Sequence, residues 1–270
     1  KGYTLVQVDQ AGAEALIVAY LCTPGRFRKL FQAGIKSHTY LACHLFTDDW
    51  IKYGLDTSWL ADDVDFFQVK AHPLWNDVAK AIAKADIKYY MAKQTCHSAN
   101  YKVGVRTFCL SMLKNSGGKV NLSVEEGKRL LDTYYRLFPE ILSWHNEIDN
   151  KILTDRKLRN LQGYERTFFS IVEDDGREAY AFTPQSTVGT ITNKAFAIMG
   201  RYIESQNLDW YLLNNKHDSI LLQVPTDEVD KACSVLSYFI EAPLVGRDGG
   251  QFNMKSECSI GTDWGKYHEV

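Results

Sequence analysis

Hydrophobic and polar residues alternate over Tyr3–Asp9, with Tyr3, Leu5 and Gln7 on one side and Thr4, Val6 and Val8 on the other. A period of two predicts a buried or half-buried strand that ends at an acid, and the apolar run Ala13–Leu21 predicts a helix after it. Between Phe46 and Pro73 lie many Asp, Trp and Phe residues without a clear period, which reads as an irregular insertion. Helical periodicity returns from Leu74 to about Leu113. Ser123 with Glu126 fits a capping box ahead of a helix over Val124–Leu137, and Pro139 separates this from another reaching about Leu153.

Asp174–Asp175–Gly176 reads as a turn, and Ser186–Ser205 as helix. Two short strands, Trp210–Leu213 and Ile220–Val224, flank Asn214–Ser219 in a hairpin pattern. A helix from about Asp227 to Ile240 and a strand-like stretch near Cys258–Ile260 complete the chain. Strands therefore sit at both ends and helices fill the middle. The simplest arrangement is a sheet domain interrupted by a helical insertion, an α+β fold.

The 270 residues are 45% hydrophobic, enough to bury a core without disulfides or structural metals. No apolar run approaches the roughly 18 residues of a membrane span, and the opening residues do not read as a signal peptide. A cytoplasmic location and no membrane partner are the expectation. Six scattered cysteines without a C-x-x-C pair read as thiols of a reducing compartment, not as a zinc site. The net charge of −2 rules out a chain that is basic throughout, so any nucleic-acid contact must come from a local basic face.

Two aspartates carry the first candidate chemistry. Asp9 ends a strand, and Asp218 sits at a hairpin turn some two hundred positions later. Each alone suits an ordinary turn or strand end. Together they supply the oxygen ligands that Mg²⁺ prefers, and a pair of such ions about 4 Å apart stabilises a phosphoryl displacement. Lys93, His97 and Tyr101 recur every fourth residue and share one helix face, where Lys can neutralise a triphosphate and the rings can meet a sugar or base. Lys80, Lys84 and Lys88 repeat with the same step and read mostly as a wet face.

Taken together these segments resemble the family A (polymerase I type) DNA polymerases. Val8-Asp9-Gln10-Ala11-Gly12-Ala13-Glu14 is similar to the family's first motif, Ala92 to Tyr101 to its second, and Lys216-His217-Asp218-Ser219 with Ile220-Leu221-Leu222 to its third. Gln185-Ser186-Thr187 with Arg177 ahead of it, Gly163 with Arg166, and Asp263-Trp264 with His268 match further elements. The resemblance implies an antiparallel-sheet palm (1–21 and 165–270) interrupted by a mainly helical fingers subdomain (22–164). It implies that Asp9 and Asp218, with the Gln10 carbonyl, bind two Mg²⁺ ions, with Mn²⁺ a possible substitute. Lys93 would hold the dNTP triphosphate, His97 would lie against the sugar, and Tyr101 near the templating step. Glu14 would be the steric gate against a 2′-hydroxyl. Arg177 and Gln185 would touch the minor groove of the primer–template DNA, and His217 the primer end.

The pattern also departs from the family. Ser219 stands where Glu is usual, a form shared with single-subunit RNA polymerases, which keeps those and primase-like relatives open as the alternative. Tyr89 occupies a position usually held by an Arg for the triphosphate, and Lys88 is its nearest substitute. Lys102 replaces a Gly. These features fit a divergent, phage-like branch, in a bacterial or phage-infected cell. The family's thumb and exonuclease are absent from these residues, so the chain is expected to be the C-terminal portion of a longer or split enzyme, with the remainder in a missing N-terminal region or second polypeptide. A non-catalytic nucleic-acid-binding remnant and a two-metal nuclease are the readings from other classes.

Overall fold

The computed structural model describes residues 2–169, 173–241 and 243–269, the side chains of residues 173–177 excepted. In chain order the elements begin with β1 (Tyr3–Gln10), α1 (Ala13–Leu21), α2 (Arg26–Gln32), α3 (Ser37–Leu45), α4 (Thr47–Ile51) and α5 (Phe66–Ala71). Next come α6 (Trp75–Lys84), α7 (Asp86–Asn100), α8 (Val105–Asn115), α9 (Val124–Leu137) and α10 (Glu140–Thr154). The chain continues with β2 (Lys157–Arg159), β3 (Glu165–Thr167), α11 (Glu173–Ser205), β4 (Tyr211–Lys216) and β5 (Ser219–Pro225). It ends with α12 (Val229–Ile240), β6 (Pro243–Val245), β7 (Gln251–Asn253), β8 (Ser256–Asp263) and β9 (Lys266–Glu269). Two compact units result: 1–17, 157–167 and 182–270 in the first, and 18–156 with 168–181 in the second. The chain passes between them four times, inside α1, just before β2, just after β3 and inside α11. The expected segment breaks lay at 21/22 and 164/165.

The first unit is built on a five-stranded sheet in the order β4-β5-β1-β8-β9, with every neighbouring pair antiparallel. The alternation read in β1 is realised, with Thr4, Val6, Val8 and Gln10 buried and the residues between them half-buried. Val6 and Val8 join Ile220, Leu222 and Val224 of β5 in one apolar layer. Ala195 and Met199 of α11 and Ala232, Leu236 and Ile240 of α12 cover it. This is the α+β arrangement that the two ends of the sequence predict.

Three local expectations are corrected. The hairpin is tighter than read, since β4 and β5 run to Lys216 and Ser219 and leave only His217 and Asp218 in the turn. His217 takes a left-handed φ of 53°, which lets two residues reverse the chain. The long helix starts at Glu173, not Ser186, and contains Pro184. Asp174–Asp175–Gly176 falls in its first turn instead of breaking the chain. The Phe46–Pro73 stretch forms the short helices α4 and α5 and a 3₁₀ turn, with Asp56 and Asp65 capping the last two.

In the second unit, Phe27 packs against Tyr134 and Phe138 with ring centroids 6.0 and 4.9 Å apart. Gly25 precedes α2 and offers no side chain to cap it. Glu140 of α10 does so instead, its Oε1 accepting the Phe27 N–H at 2.6 Å. A Cβ at Gly25 would lie 2.4 Å from that oxygen, so the cap requires glycine there. The buried Arg28 guanidinium donates to the carbonyls of Ala19 (3.2 Å) and Cys22 (3.0 Å), satisfying acceptors that the end of α1 leaves open. The Ser123–Glu126 capping box is formed, at 3.1 and 2.8 Å.

The cysteine expectation is half overturned. Cys233 of α12 and Cys258 of β8 form a disulfide with Cα atoms 6.1 Å apart, because helix and strand pack in register on one sheet face. Cys22, Cys43, Cys96 and Cys109 remain thiols. Burial pushes Cys43 and Cys96 up to about 12, which makes them inert at neutral pH. The bond closes a loop with a sequence separation of 25. Its reduction is expected to cost about 3 kcal/mol by loop-closure entropy. Thermal melting with and without reductant tests this: Tm should fall on reduction, and Cys233→Ser should show the lower Tm and no response to reductant. Identical melting curves for all samples would remove the cross-link from the account.

Candidate active site

β1 lies at the centre of its sheet, so its last residues have a strand on each side. Asp9 pairs with Ser219 of β5 across one edge and with Glu257 of β8 across the other. The Gln10 N–H donates to the Asp218 carbonyl at 2.9 Å, which ties the hairpin turn to the end of β1. The two aspartates that are far apart in sequence are therefore neighbours at one end of the sheet. The buried Gln10 side chain donates to Val188 O (3.1 Å) and Thr192 Oγ1 (2.6 Å), fastening β1 to α11.

The electrostatics of Asp9 follow from this placement. Burial raises its carboxyl above the ordinary value of 3.8, and the nearby Asp218 and Glu257 charges push the same way. The Gln7 amide, donating to Asp9 Oδ2 at 2.9 Å, and the Ser219 hydroxyl pull it down. Glu257 was missed in the sequence. Its signal was the strand-like stretch at Cys258–Ile260, which needed only a register to place an acid opposite Asp9.

Glu14 is half-buried in the first turn of α1, just after Gly12, whose φ of +58° turns the chain out of β1. His217 and Gln185 are exposed, on the hairpin turn and on α11. The Arg177 side chain lies outside the described residues. Thr187 of the Gln-x-Thr element is buried and accepts the Leu161 N–H at 3.2 Å, which makes it a support for the β2–β3 turn.

In the second unit, Lys93 and His97 are exposed on α7. Tyr101 caps the helix end and is buried, its ring edge-on to His97 at 4.9 Å. The Lys80–Lys88 stripe is not one face, because the helix breaks at Ala85 between α6 and α7. Lys88 is also no substitute for the arginine. It pairs with Asp49 at 2.6 Å and lies over the Phe46 and Trp50 rings at 5.7 and 5.6 Å. Tyr89 instead meets His38, with Oη and Nε2 2.9 Å apart. Burial drives His38 down to about 4, and the charges of Lys36 and Lys93 add to the shift. His38 is thus a neutral imidazole in a cationic neighbourhood, and no periodicity in the sequence marked it.

The donor set suits a hard divalent cation. Crowded carboxylates favour a bound positive charge, as the raised proton affinity of Asp9 reflects, and Mg²⁺ is commonly held by one or two carboxylates plus substrate phosphates and water. Among the described residues no three His, Cys, Asp or Glu side chains form a complete cage, as such a shared site requires none.

No family model matches the chain. It is similar to DNA polymerase theta of Drosophila melanogaster, 23% identical over 219 residues, covering 76% of this chain and 10% of that protein. It is similar to the thermostable DNA polymerase I of Thermus thermophilus (22% identical) and of Thermus filiformis (21%), each over 98% of this chain. The chain spans only 27% of the length of either Thermus protein. The polymerase domain of Pol1 from M. smegmatis, solved with DNA primer-template and dNTP, superposes with a TM-score of 0.68 at 17% identity, covering 98% of this chain and 40% of that one. The resemblance to family A DNA polymerases therefore extends over most of the chain, and the fold is that of a polymerase domain. No helix among the described residues is long and apolar enough to cross a membrane.

The Asp9 shift has a stability consequence. The folded chain binds the Asp9 proton more tightly than the unfolded chain, so ionising it costs stability. The penalty is absent well below 3.8 and complete above the raised folded value. Asp9→Asn is expected to raise Tm at neutral pH without divalent ions, and the gain should shrink as pH falls toward the ordinary carboxylate range. A lower Tm for the variant at pH 7 would contradict the crowded-carboxylate account.

Proposed function

We propose that this chain is the catalytic palm-and-fingers portion of a template-directed DNA polymerase, which adds dNTPs to a primer 3′-end by nucleotidyl transfer with two divalent cations. The observation that carries it is the β1–β5 register, which sets Asp9 beside Asp218 in a fold similar to polymerase domains. The palm corresponds to 1–21 and 165–270, the fingers to 22–164. The thumb and exonuclease reside in a further segment or a second polypeptide. A cytoplasmic setting fits this work.

In this reading Asp9, Asp218 and the Gln10 carbonyl hold the cations. When bound, Mg²⁺ (or Mn²⁺) supplies positive charge that weakens the 3′-hydroxyl proton and neutralises the departing pyrophosphate. The new bond joins the primer 3′-oxygen to the α-phosphorus as the bond to pyrophosphate breaks. Lys93 holds the triphosphate by charge, His97 lies against the sugar, and Tyr101 closes the end of the helix at the templating step. Glu14 fills the space of a 2′-hydroxyl. Arg177 and Gln185 follow the minor groove, whose degenerate pattern lets base-pair shape be checked without reading sequence, and His217 contacts the primer end.

An RNA-synthesising relative is the second reading, favoured by Ser219 alone. Primer extension by the chain, with any co-purifying polypeptide, separates the possibilities when dNTPs and NTPs are offered in turn. Asp218→Ala is expected to reduce extension by about 10³-fold or more while leaving duplex binding intact. Full activity in that variant would refute the assignment of the metal ligands. Glu14→Ala is expected to improve NTP use relative to dNTP by about tenfold or more, and an unchanged sugar preference would remove the gate from Glu14. Cleavage of labelled primer–template in Mg²⁺ without nucleotides would instead identify a nuclease.

A further inference from the structure

The C-terminal end of α7 is bound by more side chains than a helix end needs. Its geometry is a Schellman turn: the Val103 N–H donates to Ser98 O (3.0 Å) and the Lys102 N–H to Ala99 O (3.2 Å). Such a turn places one residue in the left-handed region, and glycine is usual there because a Cβ crowds the following carbonyl oxygen. Here the residue is Lys102, with φ 52°. A lysine at this point is unfavourable for the backbone, and its side chain makes contacts that a glycine would lack.

That side chain is engaged by two other helices. Lys102 Nζ lies 2.6 Å from Asp149 Oδ2 of α10 and 3.1 Å from the Tyr180 hydroxyl of α11, and it also sits 5.2 Å from the Tyr180 ring centroid. Tyr180 in turn donates to Asp149 Oδ1, which closes a three-membered ring of contacts. Behind it, side chains of α9 and α10 bond the last carbonyls of the helix, Ala99 O taking a side-chain donor beside the Lys102 N–H. Tyr135 Oη donates to Ala99 O (3.0 Å), and buried His145 Nε2 lies 2.8 Å from Asn100 O. A carbonyl only accepts, so His145 carries its proton on Nε2. Tyr134 Oη donates to the Asn100 side chain at 2.7 Å. Between Asn100 and Lys102 lies Tyr101, buried and stacked edge-on to His97.

We propose that Lys102, with Asp149 and Tyr180, is a positioning clasp for the nucleotide helix: it fixes the C-terminal end of α7, and through it Tyr101 and His97, in the orientation that accepts a correctly paired incoming nucleotide. This rests on the polymerase reading and adds residues to it that touch neither metal nor substrate. The clasp acts on the helix that binds nucleotide, so its loss should appear in nucleotide KM and in mismatch discrimination before it appears in turnover or stability.

The test uses single-nucleotide incorporation by the unaltered chain and three variants, with any polypeptide that co-purifies. Lys102→Gly relieves the left-handed backbone and removes the clasp together, so its Tm should be unchanged or higher. Its dNTP KM is expected to rise about tenfold with kcat within about twofold, and discrimination against a mismatched dNTP should fall. Asp149→Asn should behave alike, and Lys102→Arg should restore KM to within about threefold of the original. Unchanged KM and discrimination in Lys102→Gly and Asp149→Asn, beside an active unaltered chain, would overturn the clasp. So would a parallel loss of Tm, kcat and KM in all variants, which marks plain structural support. No incorporation by the unaltered chain would overturn the polymerase reading and this proposal with it.

Discussion

The antiparallel register between β1 and β5 is the constraint on which the rest depends. Side chains alternate along a strand, so a slip of one residue would turn Val6 and Val8 out of the apolar layer that they share with Ile220, Leu222 and Val224. Burial of that layer against α11 and α12 fixes the register. The register in turn fixes Asp9 opposite Ser219 and one residue from Asp218. The chemistry-bearing acids thus owe their proximity to hydrophobic packing, and no attraction between them contributes. Their interaction is repulsive, and it adds to the effect of burial in raising the proton affinity of Asp9.

The second unit solves a different problem. A helix that is to present Lys93 and His97 to solvent can bury only its other side, so its packing leaves the orientation of the exposed residues weakly determined. α7 meets this with Ala92, Cys96 and Ala99 against the core and with polar bonds from α9 and α10 at its end. The charge distribution follows the same division. Acids gather at the sheet end of one unit, while the cations Lys36 and Lys93 lie around the neutral His38 in the other, so a net charge of −2 hides local charge of both signs.

Much of this was legible because it rests on periodicity. The two-residue repeat of β1, the capping box at Ser123 and the helical spacing of Lys93 and His97 are local signals, and local physics reproduces them, whereas Tyr101 falls past the helix end and is buried. What failed was read from breakers. The Asp174–Asp175–Gly176 cluster reads as a turn, yet α11 runs through it and on through Pro184, since tertiary packing of Val188, Ile191, Ala195 and Met199 outweighs one missing N–H. His217 did not read as a left-handed residue, so the hairpin turn was drawn too wide. Glu257, the Cys233–Cys258 bond and the partners of Lys102 all depend on register or helix packing between distant segments. No window of sequence contains that information.

The Ser219 departure looks different in the light of the sheet order. A carboxylate at 219 would stand directly across from Asp9, with Asp218 already adjacent, and would add a further repulsive charge to a half-buried group. Serine places a hydroxyl there instead, which lowers the Asp9 shift. The acidic field is not lost, because Glu257 supplies a carboxylate from β8 on the opposite side of β1. Since Glu257 is exposed, its charge is better hydrated than one at the buried position 219. The same sign of potential is therefore kept at the end of β1 at lower desolvation cost, and the change at 219 leaves the cation-attracting character of the site in place.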